Sequence, residues 1–107
     1  MDGGEAMKVK IYYLNWEQTG VPLNPNVAHT KLFWDNGMYQ DMGGMELFGY
    51  EEQTVPDSVF GWMNHGSGME DPDLLGGAPR SMSAGDIVEV DGQKYLCAAA
   101  GWVKFDG

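Results

Sequence analysis

The clearest alternation of apolar and polar side chains begins at residue 8. Val9, Ile11 and Tyr13 fall on one face of an extended chain, and two lysines fall on the other. This period of two is typical of a β-strand with one buried face. β-branched and aromatic residues also suit the pleated surface of a sheet. The pattern therefore predicts a first strand over residues 8–15.

A second regular pattern lies near the end of the chain, around Asp91-Gly92, which is a strong signal for a two-residue turn. With that turn, Glu89 faces Lys94 across a hairpin, and apolar side chains face each other at the neighbouring positions. Opposite charges and apolar partners meet in the same register, which supports the turn independently. The sequence therefore predicts a β-hairpin with a Glu89–Lys94 ion pair on one face.

The spacing of the apolar side chains changes in the middle of the chain. Residues 29–34 alternate and predict a second strand. Farther on, Val59, Phe60 and Met63 recur at the spacing of a helix, and a capping residue stands shortly before them. Gly66 is placed to end such a helix. This part of the chain therefore predicts a strand followed, after a glycine-rich interval, by one short helix.

Together these elements indicate one α+β domain over residues 8–107, preceded by a flexible tail over residues 1–7. The predicted architecture is a small, twisted, mostly antiparallel sheet, open or curled into a partial barrel, with one short helix packed on it. The predicted strands cover residues 8–15, 29–34, 45–52, 86–91, 93–98 and 102–105. Between the first two strands, residues 17–26 contain Pro22 and Pro25 and predict a loop.

The composition narrows the class of partner. A chain of 107 residues with 43% hydrophobic residues can fill one core. Six basic residues against sixteen acidic ones give a net charge of −10. Such a surface repels phosphate groups, which argues against direct binding to nucleic acid or to an anionic membrane. The charge is compatible with simple solubility, and also with a partner protein that has a basic surface.

The compartment follows from cysteine usage and from the start of the chain. Cys97 is the single cysteine, so the fold depends on no internal disulfide. No apolar run approaches the ~18 residues of a membrane span. The acidic first residues lack the basic and apolar regions of a signal peptide. We therefore expect a cytoplasmic protein.

Ser81, Ser83 and Asp86 stand close together and are the first candidates for catalysis. A serine nucleophile needs a base within hydrogen-bond reach, usually a histidine. His29 and His65 are the two histidines, and neither belongs to a hydrolase motif such as Gly-x-Ser-x-Gly. Serine and aspartate in turns commonly satisfy nearby backbone N–H groups instead. The stretch is therefore better explained as the start of the hairpin.

Metal and phosphate sites also lack their usual spacing. The chain has no Cys-x-x-Cys pair, no His-Glu-x-x-His and no EF-hand loop. Its glycine pairs are scattered and are not followed by a lysine as in a phosphate-binding loop. The sequence therefore predicts a protein that is not an enzyme and that uses no cofactor and no metal.

The C-terminal run Arg-Ser-Met-Ser-x-Gly-Asp-Ile-Val-x-Val, followed by a short turn, Tyr-x-Cys and Gly-Trp, resembles the YodL-type family of small proteins from bacteria, their plasmids and their phages. The matching residues are Arg80, Ser81, Met82, Ser83, Gly85, Asp86, Ile87, Val88, Val90, Asp91, Gly92, Tyr95, Cys97, Gly101 and Trp102. The resemblance covers the C-terminal half, and the first strand is weakly similar. It implies a phage- or mobile-element-borne accessory protein and no agreed enzymatic activity.

Three hypotheses for function follow. The first is a non-catalytic protein that binds and inhibits or modulates a host protein, for example a defence effector. The second is a structural accessory protein that assembles with copies of itself. The third is a module that binds a small ligand such as a nucleotide, with Arg80 as a contributor to a phosphate pocket.

Under the first hypothesis, the middle third of the chain supplies the contacts. Five of the eight methionines fall there beside several aromatic residues, and such residues are enriched at interfaces. Acidic residues accompany them and would meet a basic partner surface. The predicted partner-binding residues are Glu51, Glu52, Trp62, Met63, Met69, Glu70, Asp71 and Asp73.

Overall fold

The computed structural model describes residues 6–106. Within this range the strands are β1 (Met7–Leu14), β2 (Tyr39–Leu47), β3 (Ile87–Val90), β4 (Gln93–Cys97) and β5 (Trp102–Phe105). The α-helices are α1 (Trp16–Thr19), α2 (Val27–Asp35), α3 (Val55–Trp62) and α4 (Pro72–Gly76), and a 3₁₀ turn covers Glu52–Thr54. None of these helices is both long enough and apolar enough to cross a membrane.

The strands form one antiparallel sheet in the order β2-β1-β3-β4-β5. This confirms the α+β class and the mostly antiparallel sheet, and the sheet is open, not closed into a barrel. Of the predicted tail over residues 1–7, residues 1–5 lie outside the described range. Met7 already belongs to β1, where it pairs with Leu47.

The C-terminal hairpin has the predicted register. Glu89 pairs with Lys94, and Val88 pairs with Tyr95. The Glu89 carboxylate lies 3.1 Å from the Lys94 ammonium. Because β1 pairs with β3, the hairpin is attached to a strand from the start of the chain. A local turn therefore forms the hairpin, and a long-range pairing places it in the sheet.

Each face of the sheet buries its own cluster of apolar side chains. On one face, α3 packs on the sheet. The residues of this cluster are Val9, Ile11, Tyr13, Val55, Val59, Met63, Met82, Val88, Val90 and Tyr95. On the other face, α2 covers Ile87, Leu96 and Phe105, and Trp34 of α2 packs against them. The sheet thus separates two helical layers, and each layer carries one of the sites described below.

The prediction of a strand over residues 29–34 is wrong, because this segment lies in α2. The helix starts with a cap: the Asn26 side chain accepts a hydrogen bond from the backbone N–H of His29. Trp34 makes an edge contact with Tyr12, with ring centroids 4.8 Å apart. A single aromatic anchor on a short helix gives little periodicity, so the alternation in the sequence was misleading.

The predicted strand over residues 45–52 is also displaced. The strand is β2, which begins at Tyr39, ends at Leu47 and includes the Gly43-Gly44 pair. The ladder between β1 and β2 shifts register at this point, between Lys10 and Tyr12. A Cβ on Gly44 would lie 2.3 Å from the Val9 carbonyl oxygen, so the close approach requires glycine.

The helical content is larger than predicted, since three α-helices accompany the predicted α3 in the described range. The predicted helix itself begins earlier, at Val55, with Pro56 in its first turn, where a missing N–H costs nothing. It also ends earlier, at Trp62, and not near Gly66. Helices α1 and α4 have 4 and 5 residues, which are too few to show a period.

Candidate functional site

The loop before the hairpin is organised by one buried ion pair. The Asp86 side chain is 0% exposed and lies between the two terminal nitrogens of Arg80, at 2.7 and 2.9 Å. It also accepts hydrogen bonds from the backbone N–H groups of Leu14 and Ser83. Burial raises the pKa of the Asp86 carboxyl, and the four donated hydrogen bonds oppose that effect.

The Arg80 guanidinium also contacts groups other than Asp86. It donates to the carbonyl oxygens of Leu14 and Ser81. Its guanidinium lies 3.7 Å from the centroid of the Trp16 ring. The arginine that the sequence offered for a phosphate pocket is therefore already neutralised by Asp86 and ties β1 to the loop.

The serines of this loop have structural partners. The Ser81 hydroxyl accepts a hydrogen bond from the backbone N–H of His65 at 3.0 Å. The backbone N–H of Ser83 donates to Asp86. Gly85 has φ +99°, which an L side chain rarely adopts. These contacts hold the loop in shape, in agreement with the structural role expected from the sequence for serine and aspartate in this stretch.

A surface of large side chains surrounds α3. It consists of Tyr50, Phe60, Trp62, Met69 and Trp102, which we call the α3 face. The rings of Tyr50 and Trp62 meet edge to face at 5.9 Å, and those of Phe60 and Trp102 do so at 6.4 Å. The Met69 side chain lies over Gly61 of α3. Met69 is 55% exposed, so a good part of this apolar surface is in contact with solvent.

Carboxylates flank the α3 face. They belong to Glu51, Glu52, Asp57, Glu70, Asp71 and Asp73, which lie on α3, on α4 and in the segments next to them. Asp57 accepts a hydrogen bond from Trp102 Nε1 at 2.9 Å, which joins the acidic residues to the aromatic ones. Hydrogen bonds from the backbone N–H groups of Glu70 and Gly66 lower the pKa of the Glu70 carboxyl, which keeps it charged.

The two sides of the sheet differ in charge balance. On the side of α2, Lys10 pairs with Asp41 at 3.0 Å and Lys94 pairs with Glu89 at 3.1 Å. Within residues 6–106, none of the six carboxylates around the α3 face forms an ion pair with a lysine or arginine of that range. Six carboxylates of the described residues therefore lie around exposed aromatic side chains without a lysine or arginine partner within that range.

Most of the predicted partner-binding residues lie at this face, with one exception. Met63 is 1% exposed and packs in the core, where the Tyr13 hydroxyl lies 3.9 Å from its sulfur. It is therefore not a contact residue, because a partner cannot reach it. Trp62 is half-buried and Glu52 is held by the Tyr95 hydroxyl. Trp102 was missed because its contact with Phe60 joins parts of the chain far apart in sequence.

A cavity of about 320 Å³ lies on the other side of the sheet. It is formed by the loop over residues 20–25, α2, the end of β1 and Gly85. Apolar side chains make most of its wall, among them Leu14, Pro22 and Phe33. Nothing in the sequence pattern indicated this cavity, because its wall comes from parts of the chain as far apart as Leu14 and Gly85.

Cys97 is buried, and burial raises the pKa of its thiol to about 12. A thiol with such a pKa carries almost no thiolate at neutral pH and is a poor nucleophile.

Across residues 6–106, no group of three or more histidine, cysteine, aspartate or glutamate side chains is arranged to hold a metal ion. No family model, no curated protein and no solved structure matches this chain. The α3 face and the cavity are therefore the two candidate binding surfaces.

Proposed function

We propose that this protein is a non-catalytic binding module whose α3 face engages a partner protein with a basic surface. The observation that carries the proposal is the combination at this face of exposed aromatic and methionine side chains with six carboxylates that lack a lysine or arginine partner within residues 6–106. Aromatic residues and methionine are enriched in protein interfaces, and complementary charge steers association.

The shape of the face supports this role. Phe60 and Trp102 stand edge to face and Asp57 holds the Trp102 indole, so the aromatic centre is kept in place before a partner arrives. Ordered side chains lose less conformational entropy on binding than mobile ones do. Glu51, Glu70 and Asp73 are exposed around this centre. An apolar centre within a charged rim is the usual anatomy of an interface.

The identity of the partner rests on the resemblance of residues 80–102 to YodL-type proteins of bacteria, plasmids and phages. Proteins carried by such elements act on host components, so we propose that the partner is a host protein in the cytoplasm, such as a defence effector, and that binding inhibits or modulates it. A nucleic acid is disfavoured as a direct partner by the net charge of −10.

A capture experiment with matched variants tests the proposal. Immobilised wild-type protein, Phe60→Ala/Asp73→Asn and Leu32→Ala/Asp35→Asn are exposed to host lysate at low salt. The control pair removes an exposed apolar and an exposed acidic side chain from α2. We expect the wild type and the control to retain one basic protein, which salt releases. The variant Phe60→Ala/Asp73→Asn should retain at least about tenfold less of it.

Two results would contradict the proposal. One is retention of the partner by all three proteins to the same extent. The other is the absence of any captured protein at low salt, together with light scattering that shows a mass increasing with concentration. That second result would support the self-assembling accessory protein instead.

A further inference from the structure

The cavity beside α2 is a separate site from the α3 face, since Leu14 and Tyr39 place it on the opposite side of the sheet. Its volume of about 320 Å³ reaches the lower end of the range of small-molecule sites, which is roughly 300–1,000 Å³. Gly85 and Pro22 meet so closely at its wall that a Cβ on Gly85 would lie 2.7 Å from Pro22 Cγ. The α2 side therefore contains a defined concave site.

The loop over residues 20–25 supplies one wall of the cavity and exposes apolar side chains to solvent. Leu23 lines the cavity, yet its side chain is 92% exposed. Val21 in the same loop is 58% exposed. Burial of an exposed leucine at the edge of an apolar cavity is favourable, so a ligand that covers Leu23 gains free energy. The loop therefore fits the edge of a site for an apolar molecule.

Two hydroxyl groups of the cavity have already donated their protons to backbone carbonyl oxygens. The Tyr39 hydroxyl donates its proton to the Gly85 carbonyl oxygen at 2.7 Å. The Thr30 hydroxyl donates its proton to the Asn26 carbonyl oxygen at 2.7 Å. Each hydroxyl oxygen keeps lone pairs after its proton is used. A ligand that meets these oxygens must therefore bring the donor.

The charge of the surroundings disfavours an anion. Among residues 6–106, no lysine or arginine lines the cavity. The protein as a whole carries a net charge of −10, which repels a negatively charged ligand. A nucleotide would bring phosphate groups without a cation to meet them. The nucleotide considered on sequence grounds therefore does not suit this site.

We propose that the cavity between residues 20–25, α2 and Gly85 binds a small, mostly apolar ring compound that carries a hydrogen-bond donor and no negative charge. The aliphatic and aromatic wall takes the ring, and the hydroxyl oxygens of Thr30 and Tyr39 accept its donor. Leu23 covers the outer edge of the bound ring.

Three probes with the same indole ring separate the elements of this proposal. Indole has a ring and an N–H donor, 1-methylindole lacks the donor, and indole-3-acetate adds a negative charge. Each is titrated into ¹⁵N-labelled wild-type protein and followed by the backbone amide resonances. We expect indole to shift amides in residues 19–33, at Tyr39 and at Gly85. We expect 1-methylindole to bind about tenfold more weakly, the loss for one unmade buried hydrogen bond. We expect indole-3-acetate, which keeps the N–H donor, to bind more weakly than indole because its negative charge is repelled and meets no lysine or arginine.

A matched pair of variants checks the location. Asn24→Trp places a large side chain at a residue that lines the cavity, whereas Gln18→Trp adds the same side chain on exposed α1, outside the cavity. We expect the first to abolish indole binding and the second to leave it unchanged. The proposal is overturned if the shifted amides surround α3, if the three probes bind equally, or if no probe binds. The titration of the wild type decides even if Asn24→Trp does not fold.

Discussion

At the residue scale, the ion pair of Arg80 and Asp86 is the feature on which the C-terminal loop depends. Asp86 is fully buried, and the Arg80 side chain is 17% exposed. Removing one member of a buried pair leaves the other charge without a partner, which is far costlier than the loss of a surface pair. The pair joins the end of β1 to the start of the hairpin through Leu14.

We therefore expect Asp86→Asn to lower the free energy of unfolding by about 3 kcal/mol, since it leaves the Arg80 charge unpaired in a mostly buried place. Urea unfolding followed by tryptophan fluorescence measures the change. Asp41→Asn is the control, because Lys10 and Asp41 are 45% and 53% exposed. It should cost less than about 1 kcal/mol. Equal losses in the two variants would show that Arg80 is not held by Asp86.

Tyr95 gives a prediction for alkaline pH. Burial, together with the hydrogen bond to Glu52, raises the pKa of Tyr95 to about 12. The folded protein therefore keeps the proton that the unfolded chain loses near pH 10. The stability from this group is fully present below about pH 10 and is lost as the pH rises to about 12.

The difference in phenolate absorbance between the wild type and Tyr95→Phe reports this titration. We expect this difference in absorbance to appear near pH 12. When both proteins also carry Glu52→Gln, which removes the negative neighbour of Tyr95, it should appear at a lower pH. A Tyr95 titration near pH 10 in the folded wild type would contradict the contact with Glu52.

At the scale of elements, α2 shows how a cap and one aromatic anchor decide between helix and strand. Residues 29–34 alternate in a way that also suits a strand. The Asn26 side chain, however, accepts the N–H of His29 at 2.9 Å and starts a helix. Trp34, near the end of the helix, then packs between Tyr12 and Tyr39. Helix α2 in turn forms one wall of the cavity.

Replacement of Asn26 by alanine removes this cap and should lower the free energy of unfolding by about 1 kcal/mol. Thermal unfolding followed by circular dichroism measures the effect. Asn24→Ala is the control, because Asn24 lies in the same loop and is exposed. Equal melting temperatures for the two variants would show that the cap does not contribute to the stability of α2.

At the scale of the whole molecule, charge is unevenly distributed about the sheet. Lys10 and Lys94 on the α2 side have acidic partners, and the carboxylates around α3 have none among the lysines and arginines of residues 6–106. Such an arrangement gives the protein one side suited to a basic partner. It also lowers the stability of the folded state, because like charges repel each other there.

This repulsion leads to a prediction about salt. The urea midpoint should rise when KCl increases from about 10 mM to about 200 mM, because the screening length falls to below roughly 10 Å. The rise should be smaller in Glu51→Gln/Glu70→Gln/Asp73→Asn, in which three of these charges are absent. A midpoint that falls with salt, or that rises equally in the variant, would contradict an uncompensated acidic face.

Local patterns predicted the parts of the fold that depend on neighbouring residues. The Asp91-Gly92 turn determined the hairpin register, and the alternation after residue 8 identified β1. Short helices escaped prediction, because α1 and α4 have 4 and 5 residues and show no period. The acidic and aromatic composition of the middle third indicated the region of the α3 face, but composition could not tell exposed Met69 from buried Met63.

The sequence by itself determined the class of the fold, the hairpin and the negative charge, because each is a property of composition or of residues close along the chain. Only the tertiary structure decided that Asp86 is buried against Arg80, that Phe60 meets Trp102, and that a cavity opens beside Gly85. The physical reason is the same in each case. These features arise where β1, the helices and the hairpin are brought together by long-range packing, which no local pattern records.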